Sequence, residues 1–285
     1  MSKNIIFQYL IVNDDVDKRG DIEGRKRSDL YLEMADISRQ SFELYAEEIG
    51  CEYLYSDERV VTKGHGCSTS TLFECLRVIY DPYFDQFDKV LFADTDIVVN
   101  TKESIFDVSD AEVYGVLESD IITENGGGYN GWDRDSNNMR DYLEKFEMHD
   151  CPIIPPFGIG RHVSKLTILN TGVVVWTKEA RLKARELFDS WEAWCYPKSV
   201  NSDNKVHHMS ILNDQPFISA QLMKYDFDLE SVDQSWNDTP PHYNDPQKWI
   251  DEGKSKFLHY TGGKYKKEMV DLYHEGKFPI FNEGW

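Results

Sequence analysis

The segment Lys89-Val-Leu-Phe-Ala-Asp94-Thr-Asp96 constrains the fold more than any other stretch of this chain. Val90, Leu91, Phe92 and Ala93 form an apolar run of strand length with charged residues on either side. Such a run reads as a core strand of an α/β sheet. It ends in two carboxylates one residue apart. In open α/β sheets, ligands bind beyond the carboxyl ends of strands. If the chain stays extended, alternation turns positions i and i+2 to the same side, and Asp94 and Asp96 converge on one ion. Oxygen donors suit Mg²⁺ or Mn²⁺, ions that keep open positions for phosphate oxygens. The plainer alternative is that one Asp caps the next turn while the other faces water.

The flanking pattern supports a sheet. Asn4-Ile-Ile-Phe-Gln-Tyr-Leu-Ile-Val12 reads as a buried strand that ends at Asn13-Asp14-Asp15. Leu32 to Ile49 has apolar residues at helical spacing, with Gly50 where a helix C-cap belongs. Cys51 to Tyr55 reads as a second strand. Ser68 to Tyr80 reads as a helix with Leu72, Cys75, Leu76 and Ile79 on one face. With Asp88 to Ala93 as the third strand, the alternation implies a parallel α/β sheet. Leu166 to Trp176 is a further core strand, Ala180 to Trp194 an amphipathic helix, and Asp214 to Met223 a short helix. The glycine-rich stretch Asn125 to Gly131, with polar residues to Arg140, is either a lid over a site or a plain surface insertion. The C-terminal third is rich in Trp, Tyr and Pro, and carries Phe257-Leu-His-Tyr-Thr-Gly-Gly263 before Lys264, Lys266 and Lys267.

The length of 285 residues fits one large domain. A formal net charge of −20 excludes ready partnership with nucleic acid or anionic membrane surfaces. An anionic ligand such as a nucleotide sugar then needs a local device, and a divalent cation held by carboxylates is the obvious one. The five cysteines, Cys51, Cys67, Cys75, Cys151 and Cys195, include no CxxC pair. An odd count without that spacing argues against a disulfide framework or structural zinc, and for a reducing, cytoplasmic setting. Ile5 to Val12 is too short for a signal-peptide core, and no stretch approaches a membrane span. Aromatic residues, 13% of the chain, serve the core or offer a platform for a sugar ring or base.

Four blocks resemble, in order, the GT-A nucleotide-sugar transferases, nearest the glycogenin and lipopolysaccharide-galactosyltransferase group. Lys89-Val-Leu-Phe-Ala-Asp94-Thr-Asp96 is similar to that family's metal-binding DxD. Leu169-Asn170-Thr171-Gly172-Val-Val-Val-Trp is similar to its Asn-x-Gly strand, Asn213-Asp214-Gln215 to its Asp-Gln element, and Leu258-His259-Tyr-Thr-Gly262-Gly-Lys264 to its His-x-x-Gly element.

The resemblance implies a GT-A fold, a Rossmann-like mixed sheet flanked by helices, as a single domain over 1–285 with an irregular C-terminal part. Residues 1–100 would form a nucleotide-binding half and 101–285 an acceptor-facing half. It implies a metal-dependent hexosyltransferase, retaining, that moves a sugar from an NDP-sugar, UDP-linked before GDP-linked, to a hydroxyl acceptor such as a glycan. Asp94, Asp96 and His259 would hold Mn²⁺ or Mg²⁺. Val12, Asn13 and Asp14 would touch base and ribose, Arg77 the nucleotide, and Gly262 with Lys264 the diphosphate. Asn170, Asp214 and Gln215 would face donor sugar and acceptor as the catalytic set. The chain has Gly263-Lys264-Tyr265-Lys266 where relatives carry Lys-Pro-Trp, so the phosphate lysine is Lys264 or Lys266.

Two other readings compete. Leu91 to Val98 also resembles the first motif of haloacid-dehalogenase-type phosphatases, with Asp94 as nucleophile and Mg²⁺ as the ion. That motif normally lies on an early strand, and no later Gly-Asp-x-x-x-Asp cluster completes it here. A non-catalytic carbohydrate-binding protein on a transferase scaffold is the third reading.

Overall fold

The computed structural model describes residues 2–12, 17, 20–64, 70–117, 120, 169–192, 214–239, 250 and 253–282. The expected glycine-rich loop, Asn13, Asp14, Asn213, Cys67, Cys151 and Cys195 lie outside these residues. In chain order come β1 (Asn4–Tyr9), α1 (Arg27–Ile49), β2 (Glu52–Ser56), a 3₁₀ turn (Ser70–Leu76) running into α2 (Arg77–Tyr80), β3 (Lys89–Ala93), β4 (Ile97–Val99) and β5 (Val113–Leu117). Then follow β6 (Leu169–Thr177), α3 (Lys178–Leu187), α4 (Asp214–Lys224), β7 (Leu229–Ser231), β8 (Phe257–His259) and α5 (Gly263–His274).

Six strands form a mixed sheet in the order β2-β1-β3-β6-β5-β7. β1 runs parallel to β2 and β3, but β6 pairs antiparallel with both β3 and β5. Among the six strands only β6 is reversed, since β5 turns back to the direction of β3 and pairs parallel with β7. The parallel arrangement expected from strand–helix alternation holds for β1, β2 and β3, and the reversed β6 makes the sheet mixed, as the family resemblance implied. An apolar run reports that a strand is buried and carries no sign of its direction. Period-two alternation splits the core between the two faces. Ile5, Phe7, Val90, Phe92, Val174 and Trp176 pack on one side. Ile6, Leu91, Ala93, Val173 and Val175 pack on the other, beneath α1.

Gly50 caps α1 in the left-handed conformation (φ 70°), as its position implied. The expected helix at Ser68 to Tyr80 is a correction: only Arg77–Tyr80 is α-helical. Phe73, Cys75, Leu76, Val78 and Ile79 are buried, and Leu72, assigned to the core face from α-helical spacing, is 42% exposed. The C-terminal part is more regular than expected, since Gly263–His274 forms a 12-residue helix that buries Met269 and Val270.

Two buried side chains tie the layers together. Tyr45 of α1 donates to the Glu103 carbonyl (2.7 Å) and accepts from the Ile105 N–H (2.9 Å). Arg181 of α3, 1% exposed, donates to the carbonyls of Trp176, Phe84 and Phe87. No helix among the described residues is long and apolar enough to cross a membrane.

Candidate metal centre

The site forms where β3 leaves the main sheet. Residues 94–96 make a turn rather than an extended run. Asp94 and Asp96 thus converge by a change of chain direction, not by the strand alternation that the sequence suggested. Backbone bonds fix the turn: the Asp94 N–H donates to the Gly172 carbonyl (2.8 Å) and the Tyr260 N–H to the Asp96 carbonyl (2.8 Å). Beyond it, β4 pairs antiparallel with β8, and this register sets Ile97 opposite His259. Asp96 and His259, 163 positions apart in sequence, meet in this way.

One ligand atom each from Asp94, Asp96 and His259 lies within 4.8 Å of the others. His259 Nε2 is 3.1 Å from Asp96 Oδ1 and 3.7 Å from Asp94 Oδ2. Lys266 of α5 reaches in and pairs with Asp96 Oδ2. Asp96 and His259 are buried, whereas the Asp94 side chain keeps 43% of its surface open. The cluster is thus reachable from one side. Desolvation first, and the Asp96 charge second, push the Asp94 carboxyl up to about 7, with its open edge tempering the effect. Burial also acts to raise Asp96, but Lys266 and His259 outweigh it and hold that carboxyl below the usual range. Burial acts to lower His259, and its bond to Asp96 reverses the outcome, so the imidazole is raised.

Two carboxylates and an imidazole are a donor set that fits Mn²⁺ or Mg²⁺, with imidazole favouring Mn²⁺. The surroundings hold these donors in place. Gln8, fully buried on β1, donates to the Asp94 carbonyl (2.9 Å) and to Ser38 Oγ (2.9 Å), and accepts from the Tyr53 hydroxyl (2.8 Å). Asn237 Oδ1 meets His259 Nδ1 at 2.8 Å. Gly172 lies under the ring: a Cβ there would stand 2.3 Å from His259 Cε1, so no larger residue fits.

Beside the cluster, Asp214 at the start of α4 accepts from Thr171 Oγ1 (2.8 Å) and from the Cys75 thiol (3.7 Å). Burial raises its carboxyl, and its charge in turn acts to raise Asp94. Gln215 Oε1 accepts from the Thr171 N–H (3.4 Å), and Asn170 Oδ1 from Asn237 Nδ2 (2.8 Å). The three residues assigned to catalysis from the sequence therefore border the cluster through β6. Other assigned residues stand apart. Arg77 is engaged with Asp81 Oδ2 (2.8 Å) and Ser56 Oγ (2.9 Å). Lys264 extends over the Tyr265 ring (5.6 Å). Gly262 precedes α5 at φ 83°, and Val12 is half-buried at the edge of the described residues.

Gln8 and Asn237 were missed by sequence reasoning. The available signals were a glutamine inside Ile-Ile-Phe-Gln-Tyr and the Trp236-Asn237-Asp238 step.

No protein-family model and no curated protein sequence matches the chain. Among solved structures it is similar to a glycosyltransferase involved in glycosylation of the major capsid of PBCV-1, at 12% identity and a TM-score of 0.48, covering 94% of this chain and 98% of that one. It is similar to the galactosyltransferase LgtC in complex with donor and acceptor sugar analogues, at 14% identity and a TM-score of 0.40, covering 99% and 98%. It is also similar to mouse xyloside xylosyltransferase 1, at 14% identity and a TM-score of 0.43, covering 92% and 98%. These are all glycosyltransferases, the class that the sequence blocks resemble. Their TM-scores lie below 0.5, and the chemistry of the site stands on its own residues.

Proposed function

We propose that this chain is a metal-dependent GT-A glycosyltransferase that moves a hexose from a UDP-linked donor to a hydroxyl acceptor, such as a glycan, with retention. The observation that carries this reading is the convergence of Asp94, Asp96 and His259, with Lys266 on the same carboxylate. Asp94, Asp96 and His259 hold Mn²⁺ or Mg²⁺. Bound there, the cation offsets the charge of a departing nucleoside diphosphate without proton transfer.

The other assignments extend the family resemblance, and the geometry supports some of them. Of the two candidate lysines, Lys266 faces the cluster and is the one assigned to phosphate, while Lys264 stands over Tyr265. Gly262, at positive φ with open space around its Cα, lets a diphosphate approach the backbone. Val12, Asn13, Asp14 and Arg77 belong to the nucleotide side of the 1–100 half. Asn170, Asp214 and Gln215 belong to the sugar side of the 101–285 half. The raised Asp214 carboxyl suits a group that exchanges a proton or hydrogen bond with a sugar hydroxyl. A net charge of −20 supports a small anionic ligand held through a cation over any nucleic acid, and the cysteine pattern supports the cytoplasm.

The test is incubation with Mn²⁺ and a panel of nucleotide sugars, with and without EDTA, reading nucleoside diphosphate release. Release from a UDP-sugar that stops with EDTA is the expected result. Hydrolysis of aryl phosphates in its place would move the assignment to a phosphatase with Asp94 as nucleophile. Donor binding without turnover would leave a carbohydrate-binding protein.

A further inference from the structure

The polarity of the network behind His259 can be deduced from one backbone group. The Gly172 N–H can only donate, and it reaches the Asn170 side chain at 3.0 Å. The Asn170 atom there must be its carbonyl oxygen. That same oxygen meets the Asn237 side chain at 2.8 Å, so Asn237 presents its NH₂ to it. The Asn237 oxygen is then the atom facing His259 Nδ1 at 2.8 Å. An amide oxygen has only lone pairs to offer, so Nδ1 must carry the hydrogen. The opposite nitrogen, Nε2, points at Asp96 and Asp94.

We infer that Gly172, Asn170 and Asn237 form a relay that locks His259 in its Nδ1–H form and aims Nε2 at the two carboxylates. Asn237 is the positioning residue. A β6 backbone amide thereby dictates, through two side-chain amides, which imidazole nitrogen faces the cluster. The inference rests on the proposed metal role only for what Nε2 then does; the tautomer itself follows from hydrogen-bond polarity. Gly172 serves twice, since its missing Cβ also makes room for the ring.

This role differs from ordinary core packing. Asn237 is fully buried, and an apolar residue of similar size would fill its space. It would leave Nδ1–H without an acceptor and the ring free to turn over. Outer-shell partners of a metal-bound histidine typically contribute 10- to 100-fold in metal affinity.

The experiment uses the full chain and two readouts. Nitrogen-15 NMR of the histidine ring at alkaline pH, where the ring is neutral, reports which nitrogen of His259 bears hydrogen, and needs neither metal nor variant. Titration with Mn²⁺ alone, followed by electron paramagnetic resonance, gives the affinity of wild type, Asn237→Leu and Asn237→Asp. The relay predicts Nδ1–H in wild type, about 10- to 100-fold weaker Mn²⁺ binding in Asn237→Leu, and partial recovery in Asn237→Asp, which restores the acceptor for Nδ1–H but not the donor to Asn170. A neutral His259 protonated on Nε2 would overturn the relay, as would an Asn237→Leu protein that binds Mn²⁺ like wild type. Nδ1–H in a wild-type protein that takes no Mn²⁺ would uphold the relay and end the metal reading.

Discussion

Glu74 and Asp96 are both carboxylates removed from water, 0% and 6% exposed, yet they are solvated in opposite ways. Glu74 accepts from the N–H groups of Val60 (2.6 Å), Val61 (2.9 Å) and Thr62 (3.0 Å), and from Thr62 Oγ1 (2.8 Å). Its charge is met by fixed, neutral donors, and its role is to pin a turn. Asp96 is met by charges: Lys266, His259 and, across the turn, Asp94. Two carboxylates beside one histidine form an arrangement that a small cation improves. A buried acid satisfied by backbone dipoles is architecture, whereas one held among other charged groups suits a ligand.

Breaking each carboxylate should therefore give opposite results. Asp96→Ala removes half of a repulsive acidic pair, and the fold should survive. Mn²⁺-dependent nucleoside diphosphate release should fall by about 10³-fold or more, roughly 4 kcal/mol of transition-state stabilisation. Turnover at the wild-type rate with unchanged metal affinity would refute the metal assignment. Glu74→Ala should do the reverse. Three backbone N–H groups at 60–62 lose their acceptor, so stability by denaturant unfolding should drop by about 3 kcal/mol. Turnover per folded molecule should change little. A large loss of turnover at full stability would erase the distinction.

The same contrast explains what the sequence revealed. β1, β3 and β6 were legible because each is an apolar run bounded by polar residues, and Asp94 and Asp96 because they end such a run. β4 and β8 were not, since three residues carry no periodicity, and yet their pairing sets the register that brings His259 to Asp96. His259 came from likeness to a family block. Read alone, it is one more buried histidine. Gln8 and Asn237 escaped because a polar residue whose partners lie 86 and 67 positions away leaves no local mark. Lys266 was one of two candidates, and only the helical phase of α5 separates it from Lys264. The 3₁₀ winding at 70–76 was hidden for a related reason: one turn of either helix type fits the same apolar residues.

Asp238 sharpens the comparison as an intermediate case. It is 1% exposed and, like Glu74, is met by neutral groups, accepting from Ser255 Oγ and Gln234 Nε2. Where Glu74 takes three backbone amides, the Asp238 side chain takes one, from Thr239. Burial pushes its carboxyl up to about 6. The folded protein therefore holds this proton more tightly than the unfolded chain, whose carboxyl titrates near 3.8. Its contribution to stability is full below that value and is lost as pH rises through about 6, the reverse of a salt-bridged acid. Asp238→Asn should then raise stability at pH 8 by about 2 kcal/mol and leave it nearly unchanged at pH 4, read from denaturant midpoints. Equal effects at both pH values would show that the charge carries no penalty there.

Asp85 marks the other end of the scale, a carboxylate whose partner is a charge but whose setting is open. Its oxygens take a two-pronged contact from Arg185 at 2.6 and 3.0 Å, with side-chain exposures of 35% and 28% for the acid and the arginine. The Arg185 hydrogen bonds lower its carboxyl, so its contribution is present above the unfolded value of 3.8 and fades as pH falls through the lower folded one. Water screens the pair, and Asp85→Asn should cost only about 0.5–1 kcal/mol at pH 7, with the difference from wild type shrinking as the pH falls below 3.8. Raising the salt to 1 M should shrink that loss. An effect as large as that of Glu74→Ala would mean that charge pairing at the surface rivals a backbone cradle in the core, and the line drawn between the two kinds of carboxylate would have to move.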